Sequence, residues 1–296
     1  MGAIRIGLVG TGHWARTVHG PGVLAHDGVE LAGVWGRDTA RTAGVAAEFG
    51  IPAYDDVDDL MERVDALTFA VPPDVQAPLA LRAAAAGKHL LLEKPIATDL
   101  AAATELAEAA AGVTSLVFFT DRFIPQWEDW LMGMPDHRPR SGRVDWLAYL
   151  DPDGPNGDSL WRQQRGALWD LGPHALASLL PVLGPVRDVS GRAGEGDFVD
   201  LDLTHADGST SRMSLSLTAA DGARDEAVEF GDGHRTWARP EVPGRPAGAA
   251  YAQAVSEFAD CIRAGVTQHR CDVRLGRDVV EVLARCEAVL AGERSR

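Results

Sequence analysis

The sequence predicts an α/β fold: a doubly wound parallel sheet at the N-terminus, followed by a second, α+β domain whose open sheet is mainly antiparallel. Three observations predict it. Strand-like and helix-like segments alternate from residue 4 to residue 119. A glycine-rich turn, Gly10-Thr11-Gly12-His13-Trp14-Ala15, falls between the first apolar strand and the first helix. Beyond Pro185 the apolar period drops to two, as in half-buried strands. The expected domains are 1–120 and 121–296, a comfortable division of 296 residues.

The formal net charge is −15 and no Lys/Arg-rich run is present, which argues against nucleic acid or an anionic membrane as partner. Cys261, Cys271 and Cys286 form an odd set without a CxxC pair. They read as reduced thiols in a cytoplasmic protein. No leader pattern precedes residue 4, and no uncharged apolar stretch is long enough to span a membrane. His205, His234 and His269 show no ligand spacing with one another or with the cysteines, so no metal is expected.

In order, Ile4–Val9 is a short apolar strand. In the turn after it, Gly10 permits the bend, Gly12 lets a pyrophosphate approach the backbone, and Ala15 is small enough for helix and strand to pack. Thr11, His13 and Trp14 complete that turn, and the helix N-terminus offers N–H groups to phosphates. This is the pattern of a Rossmann-type dinucleotide site. The second strand, 30–35, ends at Gly36-Arg37-Asp38. Gly36 stands where an NAD-preferring site carries an acid. Arg37 beside it, with Arg41 one helical turn on, suits a 2′-phosphate, so the reading favours NADP over NAD. Asp38 also suits a helix N-cap.

Helices are predicted at Thr39–Phe49, 57–63, 75–86 and 100–110, and strands at 66–71, His89–Leu92 and 115–119. The strand His89–Leu92 runs into Glu93-Lys94-Pro95. An ammonium at the end of a buried strand is costly unless it has work to do. The carboxyl edge of a parallel sheet is where such folds place ligands.

With Gly7 through Ala15, and with Ala86-Gly87-Lys88-His89-Leu90-Leu91-Leu92-Glu93-Lys94-Pro95, the sequence resembles the glucose-fructose oxidoreductase/inositol dehydrogenase/MocA-type (Gfo/Idh/MocA) oxidoreductases. The resemblance implies that Lys94 sits beside a nicotinamide and takes part in catalysis, with Glu93 and Pro95 shaping the cofactor site. It places Val71, Pro72 and Gln76 on a cofactor-side loop. The family more often carries Asn at position 73, here Pro73, and His at position 76.

In the second half, 121–134 carries Trp127, Trp130 and Leu131 at helical spacing, 135–142 reads as a break, 144–150 as a strand and 151–158 as a loop. Asp170 and His174 stand four apart, on one face of a helix. Taken alone, the pair reads as a cap and a core or solvated histidine. The resemblance implies otherwise, because Asp170, Gly172 and His174 match the family's Asp-x-Gly-x-His. There the histidine is the acid/base and the aspartate holds substrate. Trp161 and Arg162, just upstream, are further substrate candidates. Residues 199–203 and 213–217 alternate around Asp207-Gly208, and 228–230 and 235–237 flank Asp232-Gly233, as in hairpins. Helices at 253–264 and 275–291 close the chain.

The expected function is hydride transfer between NADP(H) and a secondary alcohol or ketone of a sugar- or cyclitol-like substrate. Lys94, Asp170 and His174 would be catalytic and would converge on one cleft. The same resemblance implies association through the second sheet into a homo-oligomer. Two alternatives are a non-catalytic dinucleotide-binding regulator and an NAD-dependent glycoside hydrolase of the same fold.

Overall fold

A computed structural model describes residues 2–151, 154, 160–220, 222, 225–244 and 247–292. The first half alternates β1 (Ile4–Val9), α1 (Gly20–Leu24), β2 (Val29–Trp35), α2 (Thr39–Phe49), β3 (Ala53–Tyr54), α3 (Val57–Met61), β4 (Ala66–Phe69), α4 (Pro73–Ala85), β5 (His89–Leu92), α5 (Leu100–Ala109) and β6 (Ser115–Val117). The strands pair in parallel in the order β3-β2-β1-β4-β5-β6. That is the doubly wound arrangement in which the strand order reverses beside β1. Ile6, Leu8, Leu90, Leu91 and Leu92 are fully buried, as strands covered by helices on both faces must be. Asp38, Asp56 and Asp99 cap α2, α3 and α5 with side-chain hydrogen bonds, satisfying N–H groups the helices cannot.

The second half holds α6 (Pro125–Gly133), β7 (Ser141–Leu147), α7 (Leu160–Asp170), α8 (Gly172–Leu183), β8 (Val186–Ala193), β9 (Val199–His205), β10 (Thr210–Ser216), β11 (Asp225–Gly231) and β12 (Thr236–Ala238). Its sheet runs β12-β11-β7-β10-β9-β8. It is mixed, not purely antiparallel: β7 and β10 run parallel, while the remaining pairs are antiparallel. Val228, Val144, Met213 and Leu201 sit side by side across four strands and are buried. A Cβ at Gly142 would lie 2.7 Å from Leu179 of α8, so α8 packs closely on this apolar face. The opposite face carries the row Asp145, Ser214, Asp200. Asp200 pairs with Arg192 and Arg212. Burial is the largest single influence and would raise its carboxyl, but Arg212, Ser214 and Arg192 together outweigh it and hold the group below the usual range.

The helices α9 (Ala247–Ala264) and α10 (Val273–Leu290) end the fold. The chain divides into two compact units: described residues within 1–124 and 244–277, and within 125–243 and 278–296. The sequence reading cuts the chain once, after residue 120, whereas here 244–277 joins the first unit. Tyr251, Ala254, Val255 and Phe258 of α9 are fully buried, and a Cβ at Gly22 would meet Tyr251 at 2.4 Å. Segment 121–134 is a 3-10 turn followed by α6, and Ser141–Gly142 belong to β7. Within the expected loop 151–158, residues 152, 153 and 155–158 lie outside the described residues. Among the described residues, no helix is long and apolar enough to cross a membrane.

Candidate active site

The glycine turn is shaped by two different demands. Gly10 has φ +125°, and a Cβ there would lie 2.4 Å from the Ala70 carbonyl oxygen. Only glycine fits. A Cβ at Gly12 would meet nothing within 4 Å among the described residues, so the backbone faces open space where a phosphate can approach. Ala15 is fully buried. Residues 13–24 are helical, with a π-helical stretch over Ala15–His19. These features fit a dinucleotide pyrophosphate, with the helix N-terminus turned to its charge.

At the end of β2, a Cβ on Gly36 would lie 2.6 Å from Thr11 Cγ2 and 3.0 Å from Thr42 Oγ1. The position expected to lack a carboxylate is therefore closed to any side chain. Arg37 and Arg41 are exposed. Asp38 caps α2 through the Arg41 N–H and stands 3.7 Å from its guanidinium.

At the end of β5, Glu93 and Lys94 are half-buried and the Lys94–Pro95 peptide is cis. Gln76, fully buried on α4, clamps this turn. Its Oε1 accepts from Glu93 N at 2.8 Å, and its Nε2 donates to Glu93 O at 2.7 Å and Pro95 O at 3.2 Å. Pro72 precedes α4, and its carbonyl accepts from Gln76 N at 2.8 Å. Val71 Cγ1 would stand 3.1 Å from a Cβ on Gly10. Trp14 Nε1 donates to Glu93 Oε1 at 2.7 Å, and His19 Nε2 meets the same oxygen at 3.0 Å. Behind them His19 Nδ1 meets Thr68 Oγ1 at 2.8 Å, and Thr68 meets the Tyr251 hydroxyl. His19, Thr68 and Tyr251 escaped the sequence reading. The one available signal was Thr68, a lone hydroxyl in the apolar strand β4.

In the second unit, Asp170 ends α7 and His174 lies in the first turn of α8, both nearly buried. Among the described residues, Leu171 is the N-cap of α8, and Asp170 is held by Arg162, whose Nε donates to Asp170 Oδ2 at 3.2 Å. The His174 ring packs on Trp146 with centroids 5.3 Å apart. The expected contact Trp161 is half-buried on α7, one residue before Arg162. Gly166 breaks α7 at φ 62°, ψ −165°, a region essentially reserved for glycine. Asp197, on the β8–β9 turn, holds the break. Its carboxylate accepts from Ala167 N at 3.1 Å, Leu217 N at 3.0 Å and Thr218 Oγ1 at 2.8 Å. The cofactor-side candidates thus gather in the first unit, and Trp161, Arg162, Asp170 and His174 in the second.

A β-strand, a glycine turn open at Gly12 and a clamped turn at the carboxyl edge of the same parallel sheet define a dinucleotide-binding protein of the Rossmann class. Residues 4–120 match the GFO_IDH_MocA family, described as an oxidoreductase family with an NAD-binding Rossmann fold. Over 94% of the chain, it is 29% identical to the dTDP-3,4-didehydro-2,6-dideoxy-α-D-glucose 3-reductase of Streptomyces antibioticus, of which it covers 95%. The UDP-N-acetylglucosamine 3-dehydrogenase structure from Acidithiobacillus ferrooxidans superposes with a TM-score of 0.84 at 23% identity, covering 99% of both chains. The WlbA dehydrogenase of Bordetella pertussis, solved with NADH and UDP-GlcNAcA, gives 0.83 at 19% identity over 98% of this chain and 97% of that one. Residues 4–120 thus match the Gfo/Idh/MocA cofactor domain, and the chain is an oxidoreductase.

Proposed function

We propose that the protein transfers a hydride between NADP(H) and a secondary alcohol or ketone on a sugar, with sugars linked to a nucleoside diphosphate as the first class to test. The single observation carrying the chemistry is the placement of Lys94: on a turn clamped by Gln76 and Trp14, at the same sheet edge as the glycine turn. The full-length likeness to a dTDP-sugar reductase supports the substrate class, and the regulator and glycoside hydrolase readings are not favoured.

Bound NADP(H) supplies the hydride acceptor or donor. Residues 10–15 hold the pyrophosphate, Val71 and Pro72 border it, and Arg37 with Arg41 takes the 2′-phosphate. Lys94 donates a hydrogen bond to the reacting oxygen and stabilises its negative charge. His174 removes the hydroxyl proton in oxidation and returns it in reduction. Asp170, held by Arg162, orients His174 or a neighbouring hydroxyl, and Trp161 and Arg162 contact the sugar. The first unit is the cofactor domain and the second the substrate domain. Copies associate through the polar face of the second sheet, and the odd cysteine count without a CxxC pair supports a reducing, cytoplasmic setting.

The test is NADPH oxidation and NADP reduction across UDP-N-acetylglucosamine, dTDP-linked keto-sugars, galactose and myo-inositol. On the active substrate, Lys94→Met and His174→Ala should each lower kcat by about 10²–10⁴. Full turnover in both would overturn the mechanism. NADP should bind more tightly than NAD, and Arg37→Ala should erase the difference. Equal affinities with an unchanged ratio in Arg37→Ala would sink the cofactor preference. Light scattering on wild type and on Arg212→Glu tests the association: a monomer in wild type removes it.

A further inference from the structure

The proposed mechanism does not use the fully buried His19, Thr68 or Tyr251, yet they form one hydrogen-bonded line ending on Glu93, the neighbour of Lys94. Its direction follows from donor counting. Tyr251 is fully buried, and burial holds its hydroxyl well above the usual range, so it keeps its proton. Among the described residues its one partner is Thr68 Oγ1. An unmade hydrogen bond is more costly for a buried donor than for an oxygen with two lone pairs. Tyr251 therefore donates to Thr68, Thr68 donates to His19 Nδ1, and His19 carries its proton on Nε2. Nε2–H then donates to Glu93 Oε1, which also accepts from Trp14 Nε1. The other oxygen, Oε2, accepts from Lys94 N at 3.3 Å.

The helix geometry explains how both donors reach one oxygen. Trp14 and His19 are five residues apart, which on an α-helix would point them in different directions. Here Gly20 N–H bonds to Ala15 O, an i→i+5 bond that widens the turn and brings residues five apart nearly into phase. The π-helical stretch Ala15–His19 is thus matched to Glu93.

We propose that His19 is a positioning residue: backed by Thr68 and Tyr251, it fixes the rotation of the Glu93 carboxylate and thereby the electrostatic setting of the adjacent Lys94. The inference deepens the catalytic reading of Lys94 and rests on it for its effect on turnover.

The chain contains only two lysines, Lys88 and Lys94, so the Lys94 amine can be observed directly. In the full-length protein, reductive ¹³C-methylation gives each lysine its own dimethyl NMR signal, assigned with Lys88→Arg. His19→Leu should displace the Lys94 titration midpoint by about half a pH unit or more, by altering the hydrogen bonding of its carboxylate neighbour, and leave Lys88 in place. His19→Gln, whose amide can still donate toward Glu93, should displace it less. Tyr251→Phe, which frees the Thr68 hydroxyl, should also move it. With the active sugar and NADPH, His19→Leu should lower kcat about tenfold with KM within about twofold. A Lys94 midpoint unmoved in His19→Leu, even with a lower melting temperature, overturns the proposal. If that variant does not fold, unmoved midpoints in both His19→Gln and Tyr251→Phe do so. Full turnover by Lys94→Met would instead remove the catalytic reading of Lys94, while the NMR result decides the coupling by itself.

Discussion

Gln76 uses both ends of its side-chain amide on backbone groups of the 93–95 turn, seventeen and nineteen residues away. Gln76→Ala leaves one buried N–H and two carbonyls without those partners, and we expect a loss of about 2–4 kcal/mol, read by urea unfolding, together with reduced turnover. The sequence marks Gln76 as a loop residue of the cofactor site only through its place in a family motif. What it does was not legible, because its partners are backbone atoms and carry no side-chain signature. Lys94 stood out as a candidate for the opposite reason: a Glu-Lys pair directly after three buried leucines violates the pattern around it. His19 and Tyr251 gave no such signal, since a helical histidine and a helical tyrosine each have an ordinary place in a core.

Among the elements, α7 shows how one side chain can set another's position. The Gly166 break depends on Asp197, whose carboxylate also receives the Leu217 and Thr218 N–H groups. Asp197→Ala should destabilise the protein by about 3 kcal/mol and lower turnover; unchanged unfolding would show that the break holds itself. Helix α9 is tied by Glu257, which accepts from His269, Arg270 and Gln253. Burial would raise its carboxyl, but these partners bring it down from 4.5 to about 2. A depressed carboxyl contributes stability above its unfolded value that is lost as pH falls through the folded one. The window therefore runs from about pH 4.5 down to about pH 2, over roughly 2–3 kcal/mol. Glu257→Gln should remove that part of the pH dependence in denaturant titrations. Most elements were legible from periodicity. The exceptions follow physical limits: β3 is two residues long, and β8 is an edge strand with no buried residue, so neither has an apolar alternation to read. The parallel entry of β7 beside β10 depends on long connections, which local patterns do not encode.

For the whole molecule, the net charge of −15 at pH 7 falls to zero near pH 4.9. Solubility should be lowest close to pH 5, where self-repulsion vanishes, and turbidity between pH 4 and 6 checks it. The acid arm of the Glu257 measurement is therefore best approached in dilute protein. The two-part organisation was legible, but not the return of 244–277 to the first unit. That return is made by α9, whose buried face resembles any amphipathic helix; nothing in its own residues names the sheet it covers.

Gly10 and Gly12, two residues apart, divide the labour of the turn in a way that yields a pair of complementary reagents. Alanine at Gly10 collides with the Ala70 carbonyl, while the methyl of alanine at Gly12 meets nothing within 4 Å among the described residues beyond its chain neighbours. Gly10→Ala should therefore lower the melting temperature by itself. Gly12→Ala should melt like the wild type without ligand, yet gain nothing when NAD or NADP is added, since a ligand stabilises only the state it can bind. The second variant is a built-in blank: a folded chain deaf to its cofactor, against which the stability that occupancy confers on the wild type can be subtracted and measured.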